Sequence, residues 1–257
     1  MDASKKAETG AVMGIDPGVQ NAAAIADNTG GKPVIIKGGF LKSGNQYYNK
    51  YRAAIKSRLD KEKDAGRKRS LQKKLDVLGR NREAFLRDCY YKMAHKICRL
   101  AESRGVSRIA VGHTEGWKQD AGMGRKNNQA FVSLPLQKFV RILEDVSGKY
   151  GIKVYEQEES YTSKADFLCR DGIPVYKKEG GSPVFSGRRE RRGLYASGCG
   201  KKVNADVNAA FNIARKCFGD EAFAMCGEGC MDSVDAWNYR SFCPLRKETN
   251  RAPQPVA

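Results

Sequence analysis

Two aspartates far apart in the chain are the residues on which chemistry would turn. Val12-Met13-Gly14-Ile15-Asp16 is a short apolar run that climbs to a carboxylate. Pro17-Gly18 ends it in a tight turn, and a second apolar run over residues 22–26 follows at once. Strand, acid, turn, strand is how a carboxylate is held on rigid backbone, where a hard divalent cation finds oxygen donors. An ordinary hairpin with an exposed aspartate gives the same pattern. The second aspartate, Asp206, lies near the far end in Asn204-Ala205-Asp206-Val207-Asn208-Ala209-Ala210. Asn204 is a good N-cap and the alanines favour helix. Asp206 then falls in the first helical turn, where negative charge complements the helix dipole. That alone would account for one acid, but the polar cluster is dense for a helix otherwise built to be buried. A strand-end aspartate and a helix-start aspartate can converge on a pair of metal ions.

These stretches carry a resemblance. Gly14-Ile15-Asp16-Pro17-Gly18 and Asn204 to Ala210 resemble the first and third RuvC motifs of TnpB proteins, the transposon-associated, RNA-guided nucleases related to type V CRISPR effectors. Between them, Gly116-Trp117-Lys118, Asn127-Asn128-Gln129-Ala130-Phe131 and Glu158-Glu159-Ser160-Tyr161-Thr162-Ser163-Lys164 resemble one TnpB branch, in order and at about the same spacing. The resemblance implies a divalent-metal-dependent DNA endonuclease working with Mg²⁺, or Mn²⁺ in its place. One cation would activate the attacking water and the other would stabilise the leaving oxygen. It implies DNA and a guide RNA as partners. It also implies a ribonuclease-H-like (RuvC) α/β fold, here a mixed five-stranded sheet with helices on both faces and an inserted helical hairpin. The alternative is a catalytically inactive nucleic-acid-binding remnant or accessory protein of a transposon.

The sequence departs from that family at three points. Most members carry a third acid, a glutamate, at the end of the fourth strand; that position falls in Ala110-Val111-Gly112-His113, which has none. The next strand ends in Glu158-Glu159, and proteins with this motif look like a branch in which the glutamate has moved. The departure either disables the site or means that the acid comes from this strand end, which could also be simply solvated. Since neighbours on a strand face opposite sides, only one of the pair would serve, with Glu159 favoured, Glu158 close behind and loop-borne Glu115 a weaker candidate. The family also inserts a zinc ribbon with two Cys-x-x-Cys pairs before the third motif. Residues 160–203 hold only Cys169 and Cys199, so no zinc is expected. Finally, the family carries much chain before its first motif, and the expectation here is either a truncated product or a recognition half supplied by a separate chain.

Composition agrees with a nucleic-acid partner. Forty-seven Lys and Arg against 29 Asp and Glu give a net charge of +18, an excess that argues for a polyanion. No run approaches a membrane span and no apolar signal peptide opens the chain, so a cytoplasmic protein is expected. The eight cysteines form no disulfide framework.

The elements that must position the acids follow in order. Residues 1–10 are polar and expected to be disordered. Residues 11–217 form the nuclease-like domain, opening with a three-stranded meander over residues 11–36. Residues 44–104 read as a basic helical hairpin. Its first helix spans about residues 46–75, with Gly66 a possible break. Its second spans about residues 81–103, with Leu86, Tyr90, Met93, Ile97 and Leu100 at the helical period. A fourth strand over residues 106–112 leads into a glycine-containing basic loop carrying Trp117, Lys118, Arg125 and Lys126, which suits phosphate contact and base stacking, or equally a surface loop with Trp117 tucked into the core. A helix over residues 131–146 and a fifth strand over residues 151–159 follow. Residues 160–203 read as an irregular insertion in which Arg188, Arg189, Arg191 and Arg192 can hold phosphates or simply be solvated. The helix bearing Asp206 then leads into a tail, residues 218–257, expected to be partly disordered.

Overall fold

The computed structural model describes residues 10–113, 134–175, 183–226 and 228–238. Three antiparallel strands open it: β1 (Ala11–Pro17), β2 (Asn21–Asp27) and β3 (Val34–Lys37). β4 (Val106–His113) lies parallel to β1, and β5 (Lys153–Glu158) lies parallel to β4. β9 (Asp235–Trp237) adds a sixth strand beside β3, for the order β5-β4-β1-β2-β3-β9. The mixed sheet with helices on both faces is the ribonuclease-H-like arrangement.

Alternation along β1 assigns its side chains to two cores. Met13 and Ile15 join one, with Leu86, Tyr90, Met93 and Ile97 of α2 (Ala65–Ser103) and Phe139 and Leu143 of α3 (Leu136–Gly148). Val12 joins the other, with Ala210, Phe211 and Ile213 of α4 (Ala205–Phe218). Gly14 faces α4 so closely that a Cβ there would stand 2.0 Å from the Ala210 carbonyl oxygen. The absence of a side chain at Gly14 lets the helix lie against the strand. From that contact, two residues forward on β1 reach Asp16 and four back on α4 reach Asp206. At strand and helix rises these are similar distances, roughly 6–7 Å each.

The helical hairpin turns elsewhere than the sequence suggested. α1 (Gly39–Lys61) and α2 meet at Glu62-Lys63-Asp64, and α2 runs unbroken through Gly66 and Gly79. Asp64 is the reason: its carboxylate accepts the Arg67 amide as an N-cap. An exposed glycine inside a helix costs only about 1 kcal/mol. The later part of α2 meets the core, Phe85 packing against it and Leu86 being the first of its fully buried residues.

Two other expectations are corrected. The insertion is not wholly irregular: β6 (Arg188–Arg191), β7 (Leu194–Ala196) and β8 (Lys202–Asn204) form a small antiparallel sheet. The start of the tail is built into the fold, since Phe223 and Met231 are buried and Trp237 on β9 lies under the Lys96 ammonium. The edge pairing of β9 is long-range and needs only three residues, so no local pattern announces it.

Candidate active site

Asp16, next to last on β1, lies on the α4 side of the sheet and is half-buried. Burial pushes its carboxyl well above the usual range, and the charges of Glu159 and then Asp206 push it further, while Arg189 pulls the other way. A carboxyl whose proton affinity is raised by two neighbouring acids is the electrostatic signature of a site that favours positive charge. Asn204 caps α4 by accepting the Asp206 and Val207 amides at 3.0 and 3.2 Å, which fixes Asp206 at the helix mouth. The Asp206 carboxylate accepts from Asn21 Nδ2 at 2.6 Å and pairs with the Arg189 guanidinium at 3.1 Å. Asp16, Glu159, Asp206, Lys42, Arg189 and Arg192 line one open cavity of about 660 Å³.

Glu159 and Glu158 part company at the end of β5. Alternation carries Tyr155, Gln157 and Glu159 toward the α4 side, and the Glu159 amide continues the parallel ladder by donating to the His113 carbonyl at 3.3 Å. Its carboxylate lies over Gly112, where a Cβ would stand 2.6 Å from Glu159 Oε2. Glu159 thus fills the space that a longer side chain on the end of β4 would occupy. Glu158 turns instead to Lys216 Nζ, at 2.6 Å, and does not line the cavity. Burial alone would raise its carboxyl, but hydrogen bonds from Lys216 and the Ser160 amide outweigh burial and hold it below the usual value.

Lys216 was not legible from sequence. Its side chain is almost wholly buried, and its ammonium donates both to Glu158 and to the Ser160 carbonyl at 2.9 Å, bracketing Glu159 on either side. Thr162 closes the turn from below, its amide and hydroxyl donating to the Glu159 carbonyl at 3.1 and 2.8 Å. Tyr161 adopts φ 67°, a backbone region costly for a bulky residue and held here by these bonds. Gly112, Asn21 and Lys42 were likewise missed. Only Gly112 left a trace in the sequence, in the segment Ala110-Val111-Gly112-His113 where the resemblance leads one to expect an acid.

Of the four arginines singled out, Arg189 and Arg192 line the cavity. Arg188 and Arg191 are exposed on β6 and do not line it. Trp117, Lys118, Arg125 and Lys126, with Glu115, lie outside the described residues. Among the described residues no three Asp, Glu, His or Cys groups are already set around one ion. The Asp206 carboxylate is engaged by Asn21 and Arg189. A two-cation site moreover asks for acids shared between two ions rather than three on one. Half-buried Asp16, with two further carboxylates on the same cavity, fits hard divalent cations.

Comparison with known proteins follows the same lines. The OrfB_IS605 model, described as a probable transposase, matches residues 1–118, and the Cas12f1-like TNB domain model matches residues 137–213. TnpB-like protein ORF457 of Acidianus two-tailed virus is 26% identical over 214 residues, covering 81% of this chain and 42% of that protein. The chain is a relative of TnpB-like proteins and type V effectors. The CRISPR-associated endodeoxyribonuclease Cas12f1 of Syntrophomonas palmitatica is likewise 26% identical, over 227 residues, covering 79% of this chain and 44% of that protein. This TnpB-like chain therefore spans less than half the length of the curated relatives it matches. Its fold is shared with a Cas12f1–sgRNA–target DNA complex (TM-score 0.52, 23% identity, 79% of this chain and 49% of that one). It is shared also with a CRISPR–Cas12f ternary complex (TM-score 0.56, 19% identity, 81% of this chain and 39% of that one). No helix among the described residues is long and apolar enough to cross a membrane.

Proposed function

We propose that the chain is the nuclease domain of a TnpB-like, transposon-associated, RNA-guided DNA endonuclease dependent on Mg²⁺ or Mn²⁺. The observation that carries this is the meeting of Asp16, Glu159 and Asp206, from β1, the end of β5 and α4, on one cavity rimmed by Lys42, Arg189 and Arg192. DNA and a guide RNA are the partners, a reading supported by the relatives named above.

Asp16 and Asp206 hold the cations and Glu159 completes the set. Glu158 is given the supporting role that its bond to Lys216 suggests. A bound pair of divalent cations supplies activation of the attacking water and stabilisation of the leaving oxygen. The protein's own part is to bind and orient. Raised proton affinity at Asp16 makes the cluster a poor home for further negative charge, a cost that bound cations would offset, and Arg189 offsets part of it through its pair with Asp206. Arg189 lines the same cavity, and its guanidinium would offer a phosphate there a bidentate fork. Lys42 and Arg192 add positive charge at the rim.

Nicking of plasmid and single-stranded DNA in Mg²⁺ or Mn²⁺, comparing wild type with Asp16→Ala, tests the proposal. Cleavage by the wild type alone supports it. Equal cleavage by both ends it, and DNA binding without cleavage by either favours the non-catalytic alternative.

A further inference from the structure

The insertion between β5 and α4 is where relatives of this kind are expected to close a module around zinc, and its donors do not fit that ion. Residues 160–203 contain two cysteines and no histidine, whereas a structural zinc site takes four nitrogen or sulfur ligands, with Zn–S near 2.3 Å. The two cysteines nevertheless come together. Ser197 Oγ lies 3.6 Å from Cys169 Sγ, 3.1 Å from Cys199 Sγ and 2.6 Å from Asp166 Oδ2. A serine hydroxyl thus stands at the point that an ion shared by Asp166, Cys169 and Cys199 would have to occupy. Among the described residues no group of this kind is set to hold a metal.

Asp166 is completely buried, and every bond to its carboxylate joins parts of the insertion. Oδ1 accepts the Leu168 and Cys169 amides at 3.0 and 3.3 Å, the local side of the knot. Oδ2 accepts the Ser197 hydroxyl and the Gly198 amide at 2.6 and 2.7 Å, from the strand end that returns some thirty residues later. A second carboxylate repeats the theme: Asp171 accepts the Asp166 amide at 2.9 Å and both the amide and hydroxyl of Ser186, at 3.0 and 2.6 Å. Two acids gather seven donors from three separate segments, which is the cross-linking work of a structural ion. Buried carboxylates with charge-assisted bonds are strong enough for it, and costly to leave half-satisfied.

The knot is also docked on the site helix. Asn208 and Asn212 both donate to the Ala165 carbonyl, at 2.8 and 2.7 Å, Asn212 also to the Thr162 carbonyl at 2.9 Å, and Asn208 Oδ1 accepts the Phe167 amide at 3.0 Å. Ser197 directly follows β7, whose Tyr195 pairs with Arg189 on β6. The knot therefore sets the strand that brings Arg189 to the cavity.

We infer that the Asp166 carboxylate replaces zinc as the structural centre of this insertion, so that the module closes without metal. The inference does not depend on whether the chain cuts DNA.

The test measures zinc and thermal unfolding of the purified chain in Mg²⁺ buffer, so that the acidic cavity stays supplied. Wild type is expected to carry under about 0.1 zinc per chain, and a zinc-selective chelator such as 1,10-phenanthroline is expected to leave its Tm unchanged. Asp166→Asn, which keeps the shape but puts a donor or a weaker acceptor where four donors point, is expected to lower Tm by several degrees, on the order of 4–8 °C. Ser197→Ala is expected to lower it less. About one zinc per chain in the wild type, a chelator-induced fall in Tm, or an unchanged Tm in Asp166→Asn would each overturn the inference.

Discussion

Gly112→Ala is the smallest change that separates the position of Glu159 from everything else in the fold. The new Cβ would stand 2.6 Å from Glu159 Oε2 and 2.8 Å from Ile213 Cδ1. Ordinary contact begins near 3.4 Å, so the carboxylate must give way by about 0.8 Å. Both obstructing atoms are the far ends of flexible side chains, so the fold absorbs the methyl at a cost at the low end of the 1–3 kcal/mol seen for overpacking, roughly 1 kcal/mol. Catalysis is less forgiving: a misplacement of about 1 Å typically costs on the order of 10²-fold in rate. Divalent-metal affinity followed by calorimetry, and single-turnover cleavage, are both expected to weaken while the urea midpoint barely moves. A double variant, Gly112→Glu with Glu159→Gly, returns the acid to the strand where relatives carry it and is expected to recover part of the lost metal affinity. If Gly112→Ala cleaves and binds metal like the wild type, Glu159 is not a ligand and the site has been assembled wrongly.

Other outcomes follow from the same geometry. Asp16 has its proton affinity raised by burial and by Glu159 and Asp206, so it is protonated in the folded chain at pH values where the unfolded chain is ionised. Metal-free stability therefore falls as pH rises above about 4 toward neutrality, and Asp16→Asn should remove that fall in pH-dependent melting curves. Mg²⁺ at a hundredfold excess over its Kd should stabilise the wild type by about 2.7 kcal/mol and leave Asp16→Asn unaffected. Lys216→Met should destabilise by about 1–3 kcal/mol in urea unfolding, less than a fully buried pair because Glu158 is partly exposed. The Glu158 carboxyl is held below 4.5, so the pair's contribution is present above that pH and lost as pH falls through the folded value. Lys216→Met should flatten stability there, whereas Lys216→Arg should retain part of the slope. Residues 50–82 carry thirteen Lys or Arg against four acids, and Arg58, Lys61, Arg67 and Lys74 line a cleft of about 450 Å³. Exchanging those four for Gln should reduce the slope of log affinity for DNA against log salt by about 3, read by fluorescence anisotropy. An unchanged slope would mean that this face does not meet phosphate.

The sequence by itself determined whatever repeats at short range or is announced by one residue. The strand ending in Asp16, the Asn204 cap that puts Asp206 in a first turn, and the core stripe of α2 from Leu86 to Ile97 are written in periods of two or 3.6 and in capping chemistry. Register and long-range approach were left to the tertiary structure. Which of Glu158 and Glu159 enters the cavity depends on β5 pairing in parallel with β4 and on Glu158 being taken by Lys216, a partner almost sixty residues on along the helix that bears Asp206. The arginine-bearing strand β6 and the edge strand β9 depend likewise on contacts that composition does not encode, whereas the hairpin turn at Asp64 rests on a local cap to Arg67 that was there to be read. Two carboxylates could be seen from their own neighbours; the third acquired a place only when Gly112, from another strand, left room for it.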